Sequence, residues 1–533
     1  MVQKLYAGAV CGLACKTVTA EVDVSDGLPC MEMVGYLSSE VKEAKERVRV
    51  ALKNTGYKLP AKRITVNLAP ADLRKDGNSY DLSVALGILI ATGEILKDKE
   101  ERTKEKLLQI LERTLILGEL GLSGEVKPVM GVLPLVAYAK EQGMTDCIVP
   151  ADNVKEAALI KDMCIWGVSS LKEAGMILED EWEEKNVRKY REETQIQPPP
   201  SYAHDFEQVK GQTMARRAAE IAAAGFHNLL MSGPPGAGKT LIAKCLPSIL
   251  PPMTMEESLE VSKIYSVAGY LQPDRPLIRE RIVQSPHHTT TRQALVGGGH
   301  YPRPGIISLA HRSILFLDEL PEFGRTNLDV LRQPIEDKKV QIARNNGNIE
   351  YPADFMLVAA MNPCPCGYYP DYNRCKCTKR EIEKYQGRVS GPMLDRFDLI
   401  VRVEGVTVKE LTQQKEAEGS AVIRKRVMAA RELQEERLKQ YRRETGGENL
   451  QNTGNRSLAR FNSELSPAMI KEFCHMDQPT QDFLNRIFEE RELSARGYYR
   501  ILRVARTIAD LEGAEAVEIE HIAEAMCFHE EVR

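Results

Sequence analysis

The chain has 533 residues and contains no stretch of about eighteen consecutive uncharged apolar residues, the length a membrane-crossing helix needs. Residues Met1 to Thr17 offer only short apolar pieces broken by Lys4 and Lys16, without the pattern of a secretory leader, so the expected compartment is the cytoplasm, with no membrane partner. Net charge is also nearly lacking, at −4 from 72 basic and 76 acidic residues. That excludes a global pull toward nucleic acid, and any nucleic-acid site has to be a local basic patch. In a reducing compartment the 12 cysteines are expected as thiols or metal ligands rather than a disulfide frame. The remainder is ordinary for folded protein, 43% hydrophobic and 28% charged, and too long for one core, which suggests about three domains.

The most informative stretch is Gly233-Pro234-Pro235-Gly236-Ala237-Gly238-Lys239-Thr240, directly behind the apolar run Leu229-Leu230-Met231 and ahead of a helical segment, Leu241 to Leu246. A strand, this glycine-rich pattern and a helix in that order form a phosphate-binding loop. The glycines allow a tight turn, so successive N–H groups and the positive end of the helix face the phosphates. Lys239 adds charge to the site. Thr240 supplies a hydroxyl for Mg²⁺, which needs few protein oxygens. The expected nucleotide contacts run from Gly233 through Leu241, with ATP and Mg²⁺ as cofactors.

A second chemical signal is Ile314-Leu315-Phe316-Leu317-Asp318-Glu319, an apolar strand ending in paired acids. In open α/β sheets ligands bind beyond the carboxyl ends of the strands. Asp318 is expected to hold Mg²⁺ through water, and Glu319 to orient and polarise the attacking water.

The N-terminal third reads as an α+β unit. Short alternating runs such as Thr17 to Val24 precede an amphipathic helix over Ser38 to Asn54. A strand at Ile64 to Leu68, a helix over Asp81 to Thr92 and a long helix near Lys140 follow. Asn67-Leu68-Ala69-Pro70-Ala71-Asp72, Asp81-Leu82 with Ala85-Leu86-Gly87, and Gly118-Glu119-Leu120 to Gly131 resemble the N-terminal domain of the magnesium-chelatase-like ComM/YifB family. That domain is similar to the proteolytic domain of Lon, a ribosomal S5 domain 2-like fold. Lys75-Asp76-Gly77-Asn78-Ser79 is similar to the Lon segment carrying its nucleophilic serine, with Ser79 in the matching place. A serine nucleophile needs a base, in Lon a lysine, and the matching position here is Leu133, which cannot accept a proton. A non-proteolytic domain over residues 1–178 is therefore expected. The charge-dense run from Glu179 to Lys189 and then Pro198-Pro199-Pro200 read as a linker over 179–207.

The remainder resembles the same family's AAA+ motor, and the resemblance covers essentially the whole chain. It implies a P-loop α/β core over 208–403 and a helical C-terminal lid over 404–533. Val209 to Gln212 and the following small-residue helix resemble the adenine side of such a site. Asn362, delivered by the apolar strand Phe355 to Ala360, resembles the residue whose amide reaches the attacking water or the γ-phosphate. Ser390 to Asp398 resembles the arginine-finger segment of the chelatase and MCM-helicase branch. The resemblance implies that Arg396 completes a neighbour's site, hence a homo-hexameric ring, and that Arg496 is the phosphate-facing arginine ahead of Arg500 and Arg503. The tail Ala505 to Leu511 fits the same family. One departure is Ile306, where the family usually has an acid, which leaves the ring contacts of that loop open.

Two segments between these motifs are candidate DNA contacts. One runs from His287-His288-Thr289-Thr290-Thr291 through Gly297-Gly298-Gly299 to Gly305, and resembles an insertion typical of the branch. The other, Val340 to Tyr351, reads as a hairpin turning at Asn346-Gly347. In the branch it resembles, such a hairpin lines the ring pore. Lys338, Lys339 and Arg344 would neutralise phosphates. The alternative is a solvated hairpin charged for solubility.

Cys364-Pro365-Cys366 and Cys375-Lys376-Cys377 put four thiols in two close pairs within residues 362–378. That set suits a structural tetrahedral Zn²⁺, the alternative being reduced free thiols. The family implies an ATP-hydrolysing motor on single-stranded or branched DNA, with branch-migration or helicase activity in recombination or natural transformation. The competing reading is a chelatase-like ATPase that remodels a protein partner. The chain lacks the acidic Ser motif of the chelatase partner subunit.

Overall fold

The computed structural model describes residues 2–96, 99–179, 202–299, 302–344, 347–405, 417–445 and 459–529. The N-terminal part is a seven-stranded mixed sheet, ordered Cys30–Val34, Arg63–Ala69, Ala14–Ser25, Gln3–Cys11, Thr114–Ile116, Asp146–Pro150, Cys164–Val168. Its first two strands in sequence form an antiparallel hairpin, and Gln3–Cys11 then pairs in parallel with Thr114–Ile116. Alternation places Val18, Ala20 and Val22 on the buried face. The helix Asp81–Thr92, apolar over most of its surface, is buried from Asp81 through Leu89. The helix Ser39–Asn54 starts where the Ser38 side chain accepts the Val41 N–H.

The second body is organised on a five-stranded parallel sheet, ordered Val283–Gln284, Ile314–Leu317, Met356–Met361, Leu229–Ser232, Leu399–Arg402. Parallel strands are covered on both faces, and every residue of Ile314–Leu317 and Met356–Met361 is buried. All five carboxyl ends therefore open on one edge. The alanine-rich helix Thr213–Gly225 buries Ala215, Ala218, Ala219 and Ala222 to Ala224, small side chains that let neighbouring helices approach closely. The C-terminal helices Ser420–Glu444 and Ala495–Glu512 share one hydrophobic core with it and with Lys239–Ile249.

Two sequence expectations shift. The linker does not extend to 207: Phe206 is fully buried in this core, and its N–H donates to Ser420 Oγ at 2.8 Å. Composition marks the charged segment, but packing decides where the body begins. Residues 180–201, the bulk of the expected linker, lie outside the described residues. In the hairpin Lys339–Arg344 and Gly347–Pro352, Arg344 pairs with Gly347, so Gly347 is a strand residue rather than a turn residue. Burial of Val340, Ile342 and Tyr351 selects that register, because a one-residue slip would turn them to solvent. Asn345 and Asn346, the residues between, lie outside the described residues.

The two bodies touch through the helix Met255–Ala268. Gly131 donates its N–H to Ser266 O at 3.2 Å, the Ser266 hydroxyl donates to Glu156, and Lys155 pairs with Asp274 at 2.8 Å. No helix among the described residues is long and apolar enough to cross a membrane.

Candidate functional site

The phosphate loop connects Leu229–Ser232 to the helix Lys239–Ile249 at the open edge of the parallel sheet. Gly238 sits at φ 90°, a backbone region that side chains other than glycine rarely adopt. A Cβ on Gly233 would lie 2.1 Å from Val403 O, so only glycine fits there. Lys239 is folded over the loop, its Nζ donating to Gly233 O at 2.7 Å, Pro234 O at 2.9 Å and Asn362 Oδ1 at 3.2 Å. Burial lowers its pKa, with the Asp318 charge opposing. Thr240 Oγ1 donates to Asp318 Oδ2 at 2.8 Å, although the two residues are 78 positions apart in sequence. The pair brings a hydroxyl and a carboxylate together, the hard oxygen ligands that suit Mg²⁺. Glu319 follows in the left-handed region, φ 52° and ψ 48°, its N–H bound to Asp318 Oδ1 at 3.0 Å. It shares a cavity of about 530 Å³ with Asn362, His288 and Arg388.

Gln212 belongs to the same assembly, because its Nε2 donates to Ala237 O at 3.2 Å and pairs with Glu404 O. His288, within the insertion read as a candidate DNA contact, has its Nδ1 3.5 Å from Glu319 Oε2. Only the double histidine itself stood out in the sequence, and nothing local linked it to the acid pair.

Arg396 and Arg496 meet on one carboxylate, with Glu336 Oε1 2.7 Å from the first and 3.2 Å from the second. Arg396 Nη1 also donates to Pro392 O, while its buried Nε has no acceptor among the described residues. Burial, ahead of the Glu336 charge that opposes it, holds the Arg396 pKa below the usual arginine range. The competing arginines are committed elsewhere: Arg500 donates to Phe397 O and Arg503 to Leu465 O, both at 2.9 Å.

Two of the hairpin cations, Lys338 and Lys339, are also partnered. Lys338 lies 2.8 Å from Asp354 and 3.4 Å from Glu464, so it is tied down inside the body instead of facing a ligand. Lys339 pairs across the strands with Glu350 at 3.0 Å. Arg344 is the last residue of its strand. In the N-terminal body the Leu133 side chain is fully buried and its N–H donates to Glu156 Oε1 at 2.9 Å, so that position supplies no proton acceptor for Ser79.

The sulfurs of Cys364, Cys366, Cys375 and Cys377 all lie within 4.8 Å of one another. Sγ separations of 3.3 Å for Cys364–Cys366, 3.8 Å for Cys364–Cys375 and 3.5 Å for Cys366–Cys375 lie at or a few tenths of an ångström below the edge of a tetrahedron. With Zn–S near 2.3 Å that edge is about 3.8 Å. The Tyr368 backbone N–H draws the Cys366 thiol below the usual cysteine range, while Cys375 and Cys377, despite backbone hydrogen bonds that lower them, are pushed above it by hydrogen bonds and charge from Cys364 and Cys366, so the case for a metal rests on the sulfur geometry. The donor set therefore fits a tetrahedral metal. The loop also touches the nucleotide site, since a Cβ on Gly367 would lie 2.5 Å from Pro235 Cδ.

A parallel sheet whose open edge carries a glycine-rich loop, a buried lysine, a hydroxyl–carboxylate pair and a second acid has the architecture of a P-loop nucleotide-binding protein. Three family descriptions match in succession: "Subunit ChlI of Mg-chelatase" over residues 20–153, "Magnesium chelatase, subunit ChlI" over 205–411, and "Magnesium chelatase, subunit ChlI C-terminal" over 417–529. "Competence protein ComM" of Haemophilus influenzae is 38% identical over 532 residues, covering 99% of this chain and 97% of that protein. "Uncharacterized protein YifB" of Escherichia coli is 37% identical over 534 residues, 98% and 96% of the two chains. "Magnesium-chelatase 38 kDa subunit" of Cereibacter sphaeroides is 23% identical over 336 residues, 60% of this chain and 88% of that one. The chain belongs to the magnesium-chelatase-like family that contains YifB and ComM.

Proposed function

We propose that the protein is an ATP-hydrolysing AAA+ motor that assembles as a homo-hexameric ring in the cytoplasm and moves along single-stranded or branched DNA. The observation that carries the ATPase reading is the convergence of Lys239, Thr240, Asp318 and Asn362 at one strand edge. Magnesium-bound ATP is the substrate. The loop N–H groups and Lys239 hold its phosphates, Thr240 and Asp318 take the cation side, and Glu319 polarises the attacking water while Asn362 orients it. Arg396 completes the site of a neighbouring subunit. Because Arg496 shares Glu336 with it, the two guanidiniums would reach that neighbour's γ-phosphate together. The four cysteines hold a structural Zn²⁺ that braces the segment between Asn362 and the phosphate loop. The N-terminal body is a Lon-like fold without proteolytic chemistry.

The DNA reading rests on the competence relative's printed name and on the hairpin, where Lys338 is tied down and Lys339 and Arg344 are the remaining candidate contacts. The sequestration of Lys338 favours a second reading, a chelatase-like ATPase that remodels a protein partner. Hydrolysis measured with and without forked or single-stranded DNA across a salt series separates them. Stimulation that falls steeply with salt is expected for the DNA motor. Equal rates at every salt concentration would favour the protein partner. Metal analysis before and after chelation tests the cysteine site, with one zinc per chain expected.

A further inference from the structure

Two of the hairpin cations are held by acids, and the segment that carries the four cysteines is built differently. Residues 368–388 hold six lysines and arginines against three acids, in a chain whose net charge is −4. The three acids are engaged locally. Asp371 Oδ1 accepts the Asn373 N–H at 3.0 Å, Glu381 closes a capping box with Thr378 at the start of the helix Lys379–Gln386, and Glu383 lies 3.9 Å from Lys379. Arg388 is taken by Glu322 at 2.6 Å. Lys376 and Arg380 are exposed and make no ion pair among the described residues. Their charge is open to a phosphate in a way that the charge of Lys338 is not.

The same segment carries the most exposed aromatic ring among the described residues, Tyr372, at 80%. Tyr369 meets that ring edge to face, with centroids 6.1 Å apart and planes at 85°. The exposed Arg374 guanidinium lies over Tyr368, 4.0 Å from the ring centroid. Lys376 stands between Cys375 and Cys377, so the backbone that carries it is folded on the sulfur cluster. An open ring among unpaired cations is the chemistry that meets a single strand: each base has a face to stack, whatever the sequence, and the phosphates meet the cations. A duplex keeps its base faces inside. An acidic peptide would use the cations and leave the ring without a partner.

We propose that the cysteine segment is a contact for single-stranded DNA, in which Tyr372 stacks a base and Lys376 and Arg380 neutralise phosphates. The proposal rests on the DNA reading above and gives that reading a surface other than the hairpin. The segment borders the nucleotide site, because Gly367, next to Tyr368, packs against Pro235 of the phosphate loop. A strand held here lies one loop away from the ATP phosphates.

The test follows the binding of full-length protein to a fluorescent single-stranded oligothymidylate by anisotropy across a salt series. Tyr372→Ala is expected to weaken binding about fivefold or more, the scale of one lost base stack, and Tyr372→Phe, which keeps the ring, to stay within about twofold of wild type. Lys376→Ala combined with Arg380→Ala is expected to lower the slope of log affinity against log salt by about 1.4, two charges at about 0.7 each on a single strand. Equal melting temperatures show that the variants are folded. Wild-type binding that Tyr372→Ala leaves unchanged overturns the proposal while the DNA reading stands. Weakening by the double variant without any effect of Tyr372→Ala makes the surface a general polyanion contact, open to an acidic peptide, and overturns the stacking site. If wild type does not bind the oligonucleotide even at low salt, the DNA reading and the proposal fall together.

Discussion

The phosphate loop and the hairpin at 339–352 both promise an anion site in sequence, and the structure treats their lysines in opposite ways. Lys239 is buried among carbonyl oxygens and the Asn362 amide, with no carboxylate in direct contact among the described residues, so its charge is available to a phosphate. Lys338 and Lys339 each sit on a carboxylate, and Lys338 on two. Of these lysines, the one left for an anion is the one from which the fold withholds acids. That depends on which distant segments come near it, not on the local run of charge.

The comparison is broken most severely at Lys239. Lys239→Ala is expected to lower the ATP hydrolysis rate by a factor on the order of 10²–10³, the scale seen when one donor to a developing charge is removed, with folding intact by thermal melting. A variant with near-normal turnover would mean that the loop is not the working site.

Lys338 should behave as a structural residue. Lys338→Ala leaves the buried Asp354 with Arg312 as its remaining cation, and is expected to lower stability by about 1–3 kcal/mol in urea unfolding, below the full cost of stripping a buried ion pair. Salt-dependent DNA binding that weakened without any loss of stability would return Lys338 to the ligand side of the comparison.

The same cluster carries a pH signature through Glu260, which contacts Arg312 at 2.9 Å. Burial works against its charge, but the His311 hydrogen bond and the Arg312 charge prevail and hold its carboxyl down to about 2. A depressed acid contributes stability above its ordinary value near 4.5, and that contribution is lost as pH falls toward about 2. Glu260→Gln should therefore be less stable than the parent at pH 7, with the gap narrowing through that acid window. A gap that stays constant with pH would remove the ion pair from the account.

Lys339 is the mildest case. Its partner Glu350 is about half exposed and the pair lies at the surface, so Lys339→Ala is expected to cost less than about 1 kcal/mol of stability. If the hairpin meets DNA, the same change should lower the salt dependence of binding by about one charge.

What could be read without coordinates follows the range of the interactions. The strand, glycine loop and helix from Leu229 to Ile249 are contiguous, so spacing alone placed Gly233 to Thr240, and the burial of Ile314–Leu317 made Asp318 and Glu319 conspicuous. The helices Ser39–Asn54 and Asp81–Thr92 were legible from their apolar pattern, while the Ser38 cap came with the structure. Asn362, Arg396 and Arg496 were reached by resemblance, and the shared Glu336 is a tertiary fact that no local pattern carries. The approach of His288 to Glu319 and the burial of Phe206 beside Ser420 were illegible for the same reason. Each depends on segments that meet only after the sheet has assembled.

The central claim is that the site beginning at Lys239 is completed from another subunit by Arg396. Mixing Arg396→Ala subunits with Lys239→Ala subunits tests it most directly. Each variant alone should hydrolyse ATP poorly. The mixture should regain activity, because some interfaces pair an intact phosphate loop with an intact arginine. Activity that never exceeds the sum of the two inactive variants, at any subunit ratio, would contradict it.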